Sequence, residues 1–259
     1  MLGRPVVGRN AAVAIRVEGL QKSFGDEPVL WDLDLEVQWG EFLVLLGANG
    51  TGKTTLLRLM STQARPEAGQ ILVAGYDQKR QPRAIRRNIG VVGHLSYLYE
   101  DLTCRENLEF YGRLYQVKEL SRQLEMVLDR VGLTQRAHQR VRTLSHGLRQ
   151  RLALARAILH EPSILLLDEP EGGLDRQSIG MLRQLTAEWT AAGGSIVMTT
   201  HNEELGRSWA HRVGVLSQGK VHFPKESLGW QEAGRHGTAA ADGISAQQPL
   251  AAAVSQTVP

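Results

Sequence analysis

The residues best suited to chemistry stand in Gly47-Ala-Asn-Gly-Thr-Gly-Lys-Thr-Thr55, which fits G-x-x-x-x-G-K-[ST] and follows the apolar run Phe42 to Leu46. Gly47, Gly50 and Gly52 let the backbone turn tightly, so that successive N–H groups can line a concave anion nest at the start of a helix. Such a nest suits the phosphates of a nucleotide. Lys53 is placed to reach the β- and γ-phosphates and the Thr54 hydroxyl to bind Mg²⁺, with Thr55 to Met60 forming the helix behind the loop.

Two further segments end apolar runs in polar residues. Ile164-Leu-Leu-Leu-Asp-Glu-Pro170 puts Asp168 and Glu169 at the carboxyl edge of a buried strand, where α/β folds bind ligands. Asp168 would hold Mg²⁺ through its water shell, and Glu169 could polarise the water that attacks a γ-phosphate. The bland alternative is an acid pair capping a helix. Thr199-Thr-His201 ends another strand of this kind, which favours a hydrogen bond from His201 to the γ-phosphate over a merely structural histidine. In Leu144-Ser-His-Gly-Leu-Arg-Gln-Arg151, Ser145 is a good helix N-cap whose oxygen and neighbouring N–H groups can face an anion, and a plain helix start is the equal reading.

The elements that must carry these residues are legible in the hydrophobic period. Ala12 to Leu20 and Leu30 to Val37 alternate as half-buried, adjacent antiparallel strands, the second with Trp31, Leu33, Leu35 and Val37 on one face. Phe42 to Leu46 is apolar throughout, as a strand covered on both faces must be, Ser163 to Leu167 and Ser195 to Thr199 repeat that buried-strand type, and Asp175 to Ala191 is a crossover helix. Gln70 to Ala74 and Asn88 to Val92 are shorter strands joined by a polar, Arg-rich connection. From Cys104 to Leu159 the period turns helical, and Val213 to Phe223 folds as a hairpin around Gln218-Gly219-Lys220. These elements predict an α/β cassette over residues 1–228, with a mixed central sheet, N-terminal antiparallel strands and a helical subdomain over about 95–160. Residues 229–259, rich in Gly, Ala, Ser and Gln, are expected to be a disordered tail.

Composition narrows the class. With 42% hydrophobic residues in 259, the chain can bury one sizeable core. Lys+Arg 30 against Asp+Glu 27 leaves +3, and the nearest approach to a basic cluster is Arg80, Arg83, Arg86 and Arg87, read as a solvated loop rather than a nucleic-acid or phospholipid contact. The single cysteine, Cys104, excludes an internal disulfide and points to a reducing compartment. No apolar run has the length of a membrane span, and Met1 to Ala12 lacks the apolar core of a signal peptide, so work at a membrane would require a separate spanning subunit.

Taken in order and spacing, the segments from Ile15 to about Phe223 resemble the ATP-binding-cassette ATPases. Gly47 to Thr54 is similar to the family's phosphate loop, Leu144 to Leu148 to its signature, Asp168-Glu169 to its magnesium-site strand, Gly172 to Asp175 to the loop after that strand, and His201 to its switch histidine. The resemblance implies catalytic roles for Asp168, Glu169 and His201. It implies nucleotide contacts from Gly47, Asn49, Gly50, Gly52, Lys53, Thr54, Thr55, Ser145, Gly147 and Asp175, and a metal site from Thr54 and Asp168. Phe24 stands where the family stacks an aromatic ring on adenine, although composition alone would put it in the core. The implied cofactors are ATP and Mg²⁺. The implied partners are a second copy of the ATPase, packed head to tail so that one phosphate loop faces the other's signature, and a membrane-spanning permease, with no direct nucleic acid; the implied place is the cytoplasmic face of the cell membrane.

Three positions depart from the family pattern. His146 and Leu148 replace the third and fifth signature residues, while Ser145 and Gly147 are retained; His94 stands where a Gln usually follows the strand ending at Val92. His94 is read as reaching the metal through water or as packing against the membrane subunit. Gly93-His94 and the modest length after His201 resemble the haem-exporter ATPases of cytochrome c maturation. An exporter ATPase for another cargo and a cassette acting on nucleic acid or the ribosome are the alternatives. The last is disfavoured because the roughly 90 residues between Lys53 and Ser145 contain no heptad run.

Overall fold

A computed structural model describes residues 12–224, which form two sheets and seven α-helices. In chain order the first half contains β1 (Ile15–Phe24), β2 (Glu27–Val37), β3 (Phe42–Leu46), α1 (Lys53–Met60), β4 (Ala68–Val73), β5 (Tyr76–Asp77), α2 (Pro82–Asn88) and β6 (Ile89–Val92). The second contains α3 (Cys104–Leu114), α4 (Leu120–Arg130), α5 (His146–Ile158), β7 (Ile164–Asp168), α6 (Arg176–Ala191), β8 (Ser195–Thr200), α7 (Glu203–Trp209), β9 (Arg212–Ser217) and β10 (Lys220–His222). The smaller sheet is antiparallel, in the order β2-β1-β4-β5; the larger is mixed, in the order β10-β9-β3-β8-β7-β6, and only its β9–β10 pair is antiparallel. The expected tail after residue 228 lies outside the described residues.

The larger sheet is a wall between two cores. All residues of β3, β7 and β8 are buried, as strands with apolar side chains on both faces require. Alternation sends Phe42, Val44, Leu46, Leu165, Leu167, Ile196 and Met198 to the side of α3, α4, α5 and α6. Leu43, Leu45, Ile164, Leu166 and Val197 face α1 and the antiparallel sheet. The helical insertion over 95–160 therefore has no core of its own: Leu108, Leu124, Leu128 and Leu154 join the same apolar cluster as the strands. Two of its helices begin on side-chain caps, Thr103 with Glu106 in a capping box for α3 and Ser145 for α5.

Two expectations need correction. Trp31 does not share the buried face of Leu33, Leu35 and Val37: it is 55% exposed, and Leu30 is buried in its place. Between the pairs Leu20–Leu33 and Lys22–Leu30, β2 carries one residue more than β1, and Asp32 takes φ 48; this bulge inverts the alternation beyond it. The Arg-rich connection is not a loop throughout. It folds into α2, started by Pro82, with Ile85 buried and Arg83, Arg86 and Arg87 outward.

Helix α5 comes close to the sheet at Gly90 on β6, where a Cβ would run into the Ala157 carbonyl oxygen of α5 and lie 2.8 Å from Leu165 Cδ2. Gly90→Ala is expected to cost about 1–3 kcal/mol, because backbone oxygen cannot yield as a side-chain tip can. Thermal unfolding would show it as a drop of several degrees in Tm; an unchanged Tm would mean that α5 can slide on the sheet.

Candidate functional site

The turn between β3 and α1 is built by conformations that side chains resist. Gly52 caps α1 with φ 102, and a Cβ there would lie 2.9 Å from both Val29 Cγ1 and Leu30 Cδ2, so the loop sits directly on β2. Within the loop, the Thr51 hydroxyl donates to the Ala48 carbonyl at 2.9 Å. Lys53 is 5% exposed, and its ammonium folds back to donate to the carbonyls of Gly47 at 2.7 Å and Ala48 at 3.0 Å. The turn thus holds a cation among glycine N–H groups at a helix N-terminus, an arrangement that attracts an anion. Asn49 is exposed, and Thr55 is half-buried in the first turn of α1.

Asp168 ends β7 beside this turn and is 6% exposed. Its Oδ2 accepts from the Thr54 hydroxyl at 2.8 Å and its Oδ1 from the Thr199 hydroxyl at 2.6 Å. Thr54 belongs to α1 and Thr199 to β8, so one carboxylate ties together three elements. The β7–β8 register pairs Asp168 with Thr199, and the Glu169 N–H continues that pairing to the Thr199 carbonyl at 3.1 Å. Glu169 takes φ 48, which turns the chain away from the sheet at the carboxylate itself.

The two histidines come to these acids from different sides. His201 Nδ1 stands 3.5 Å from Glu169 Oε2, and His94 Nε2 stands 3.6 Å from Asp168 Oδ2. A small cavity, about 30 Å³, opens beside Thr54 and Asp168 and runs past Gly93 and His94 to Tyr97 and Gln63. Lys53, Thr54, Asp168, Glu169, His201 and His94 are thus gathered at the carboxyl ends of β3, β6, β7 and β8. Phe24 lies on the other sheet, at the end of β1; it is 58% exposed, with Lys22 Nζ 5.3 Å from its ring centroid, and is not the core residue that composition suggested.

Ser145 and Gly147 make their contacts elsewhere. The exposed Ser145 accepts from the Leu148 N–H at 3.4 Å as the cap of α5. Asp175 is the N-cap of α6: it accepts from the Ser178 N–H and hydroxyl, which together hold its carboxyl below the usual range, and Arg151 stands 3.5 Å away. Three side chains along α5 reach the segment after Glu169. His146 Nε2 meets the Gly172 carbonyl at 3.3 Å, Gln150 donates to the Pro170 carbonyl at 3.3 Å, and Arg151 donates to Ser178 Oγ at 2.7 Å. His146 and Gln150, four apart, share a helix face, a signal present in the sequence; their target across the fold and the reach of Arg151 were not.

Other residues of the site escaped sequence reading. Thr199 reads as one more β-branched strand residue, yet it holds Asp168. Glu171 bonds the Thr200 hydroxyl, and burial first, then the charge of Glu169, raises its carboxyl above the usual range. Arg156 is half-buried, donating to the Val91 carbonyl at 2.7 Å with its guanidinium 5.6 Å from the Tyr97 ring and 5.3 Å from the Tyr111 ring. No helix among the described residues is long and apolar enough to cross a membrane.

Residues 30–172 match the family model for ABC transporter. The chain is 38% identical over 213 residues to the daunorubicin resistance ATP-binding protein DrrA3 of Streptomyces coeruleorubidus, covering 82% of this chain and 67% of that protein. It is 36% identical to the Nod factor export ATP-binding protein I of Rhizobium johnstonii, over 82% of this chain and 69% of the relative, and 35% identical to the ABC transporter ATP-binding protein NatA of Bacillus subtilis, over 74% and 79%. A solved structure of an ATP binding subunit of an ABC transporter superposes with a TM-score of 0.77 at 27% identity, over 85% of this chain and 95% of that one. None of these relatives bears a haem-export name, and the likeness to haem exporters gains no support from them. The match runs through the Gly47–Thr54 turn, the start of α5 and the Asp168–Glu169 edge: the chain belongs to the ABC transporter family, among its ATP-hydrolysing subunits.

Proposed function

We propose that the chain is the ATP-hydrolysing subunit of an exporter, working as a homodimer at the cytoplasmic face of the cell membrane with a separate membrane-spanning permease. The names of its relatives favour a cargo of the drug or Nod-factor kind. The observation that carries the reading is the Thr54–Asp168–Thr199 hydrogen-bond chain, which brings the anion-attracting turn, two carboxylates and His201 to one sheet edge.

In this reading Lys53 gives up the Gly47 and Ala48 carbonyls to neutralise the β- and γ-phosphates, with the loop N–H groups from Gly47 to Thr55 around them. Asn49 adds a polar contact at the rim of the loop, and the exposed Phe24 ring supplies a face for adenine. Thr54 and Asp168 present hard oxygen donors 2.8 Å apart, the ligand type Mg²⁺ prefers, and would hold that ion. Bound there, Mg²⁺ withdraws charge from the phosphate oxygens. Glu169 orients the attacking water and accepts its proton, and His201 positions the γ-phosphate. With that ion in place, His94 would accept a hydrogen bond from water beside it, since imidazole is a poor direct ligand for a hard ion. Ser145 and Gly147 face the nucleotide of the second copy, and Asp175 keeps the intervening loop seated on α6.

Lys53→Ala should abolish ATP binding, because it removes the buried cation of the nest; unchanged affinity for a fluorescent ATP analogue would rule out the turn as the phosphate site. Glu169→Gln should keep MgATP binding, lose at least about a hundredfold in turnover and trap an ATP-bound dimer visible by light scattering. A variant that stays monomeric and turns over normally would reject both the base and the dimer. His94→Ala should raise the Mg²⁺ concentration for half-maximal hydrolysis several-fold, with His94→Gln restoring it, whereas identical Mg²⁺ curves would leave His94 without a role at the metal.

A further inference from the structure

Behind the pair Glu169 and His201 lies a second link between the same two strand ends. Glu171 Oε1 accepts a hydrogen bond from the Thr200 hydroxyl, and Thr200 Oγ1 in turn accepts from the Asn202 N–H at 2.9 Å. Thr200 is fully buried, so its hydroxyl has no water to fall back on. The two bonds clamp the backbone on either side of His201: residue 200 to the loop after β7, residue 202 to residue 200. The other oxygen of Glu171 is buried and makes no hydrogen bond. Glu171 is half-buried and caps no helix, so the bond to Thr200 is what its side chain does in the fold. Turn bonds brace its backbone, with Gly172 N–H donating to the Glu169 carbonyl at 3.1 Å and Leu174 N–H to the Glu171 carbonyl at 3.1 Å. The Glu171 side chain is therefore delivered to Thr200 from a fixed turn rather than a free loop.

We propose that Glu171 is the positioning residue of His201, holding Thr200 so that the imidazole stays directed at Glu169 and at the phosphate beyond it. Glu171 does not touch the reacting atoms; it acts through the Thr200 hydroxyl. The inference rests on the role given to His201 above. It adds that a carboxyl two residues beyond Glu169 sets the geometry of hydrolysis without taking part in proton transfer or metal binding. Misplacing a group at a reacting centre by about 1 Å is enough to lose one to two orders of magnitude in rate, so a lost clamp shows in kcat and not in nucleotide affinity.

The test is ATP hydrolysis by the full chain in five single variants and two double variants, with thermal unfolding measured on each. Glu171→Ala and Thr200→Val should each lower kcat about tenfold with KM for ATP unchanged, and the double variant should lose no more than either alone. Glu171→Gln, which keeps an acceptor oxygen, and Thr200→Ser, which keeps the hydroxyl, should return to near wild-type kcat; this rescue separates a lost hydrogen bond from a disturbed fold. His201→Ala should lower kcat further, and adding Glu171→Ala to it should change nothing. Wild-type kcat in Glu171→Ala, losses that multiply in the Glu171/Thr200 pair, or a Glu171→Ala loss that persists in the His201→Ala background would each overturn the inference while leaving His201 in place. Wild-type kcat in His201→Ala would instead overturn the reading beneath it. If Glu171→Ala and Thr200→Val unfold at the assay temperature, Glu171→Gln and Thr200→Ser decide: both active supports the clamp, either one well folded and inactive removes it.

Discussion

The site depends on one buried carboxylate. Asp168 is buried at the sheet edge, and two hydroxyls donate to it there, one from α1 and one from β8. A buried charge without such partners would cost several kcal/mol, whereas each hydrogen bond to a charged group contributes roughly 1.5–3 kcal/mol. The same two bonds set the start of the phosphate-loop helix and the end of the histidine-bearing strand relative to β7. Geometry that a ligand needs is thus maintained by an interaction the protein needs for itself.

Around that point the large sheet divides the labour. The face carrying Leu43, Leu45 and Leu166 packs on α1 and the antiparallel strands, which steady the phosphate loop through Val29 and Leu30. The opposite face, with Val44, Leu167 and Met198, shares its apolar cluster with α3, α4 and α5. Because α5 also reaches Pro170, Gly172 and Ser178 through His146, Gln150 and Arg151, the helix that opens at Ser145 is joined to the segment leaving Glu169 by polar bonds as well as by the core. Ser145 and the carboxylate loop are thus linked through contacts that lie within the first two turns of α5.

Much of this was legible before any coordinates, because its signals are local. The four apolar residues Ile164 to Leu167 before Asp168-Glu169 read as a covered strand with acids at its edge, and a glycine-rich turn ending in Lys53-Thr54 after the apolar Phe42 to Leu46 marks a helix N-terminus shaped for phosphate. The failures are non-local. The bulge at Asp32 that turns Trp31 outward depends on pairing with β1, which alternation within β2 cannot reveal. Pro82 and Ile85 offered a helix start and one buried position, too little period to separate α2 from a basic loop. Thr199, Thr200 and Glu171 carry ordinary strand and turn chemistry, and their parts in the site exist only because β7 and β8 lie side by side.

Lys53 shows what such order means for a ligand. Its ammonium is already desolvated and bonded to Gly47 and Ala48, and the loop is already seated on β2 through Gly52. Capture of an anion is then a trade of hydrogen-bond partners and not an ordering of loose chain, since the loss of conformational freedom was incurred at folding. In the proposed reading, affinity would be drawn from the stability of the fold, and a substitution that loosens Val29 or Leu30 beneath the loop would weaken binding without ever meeting the ligand.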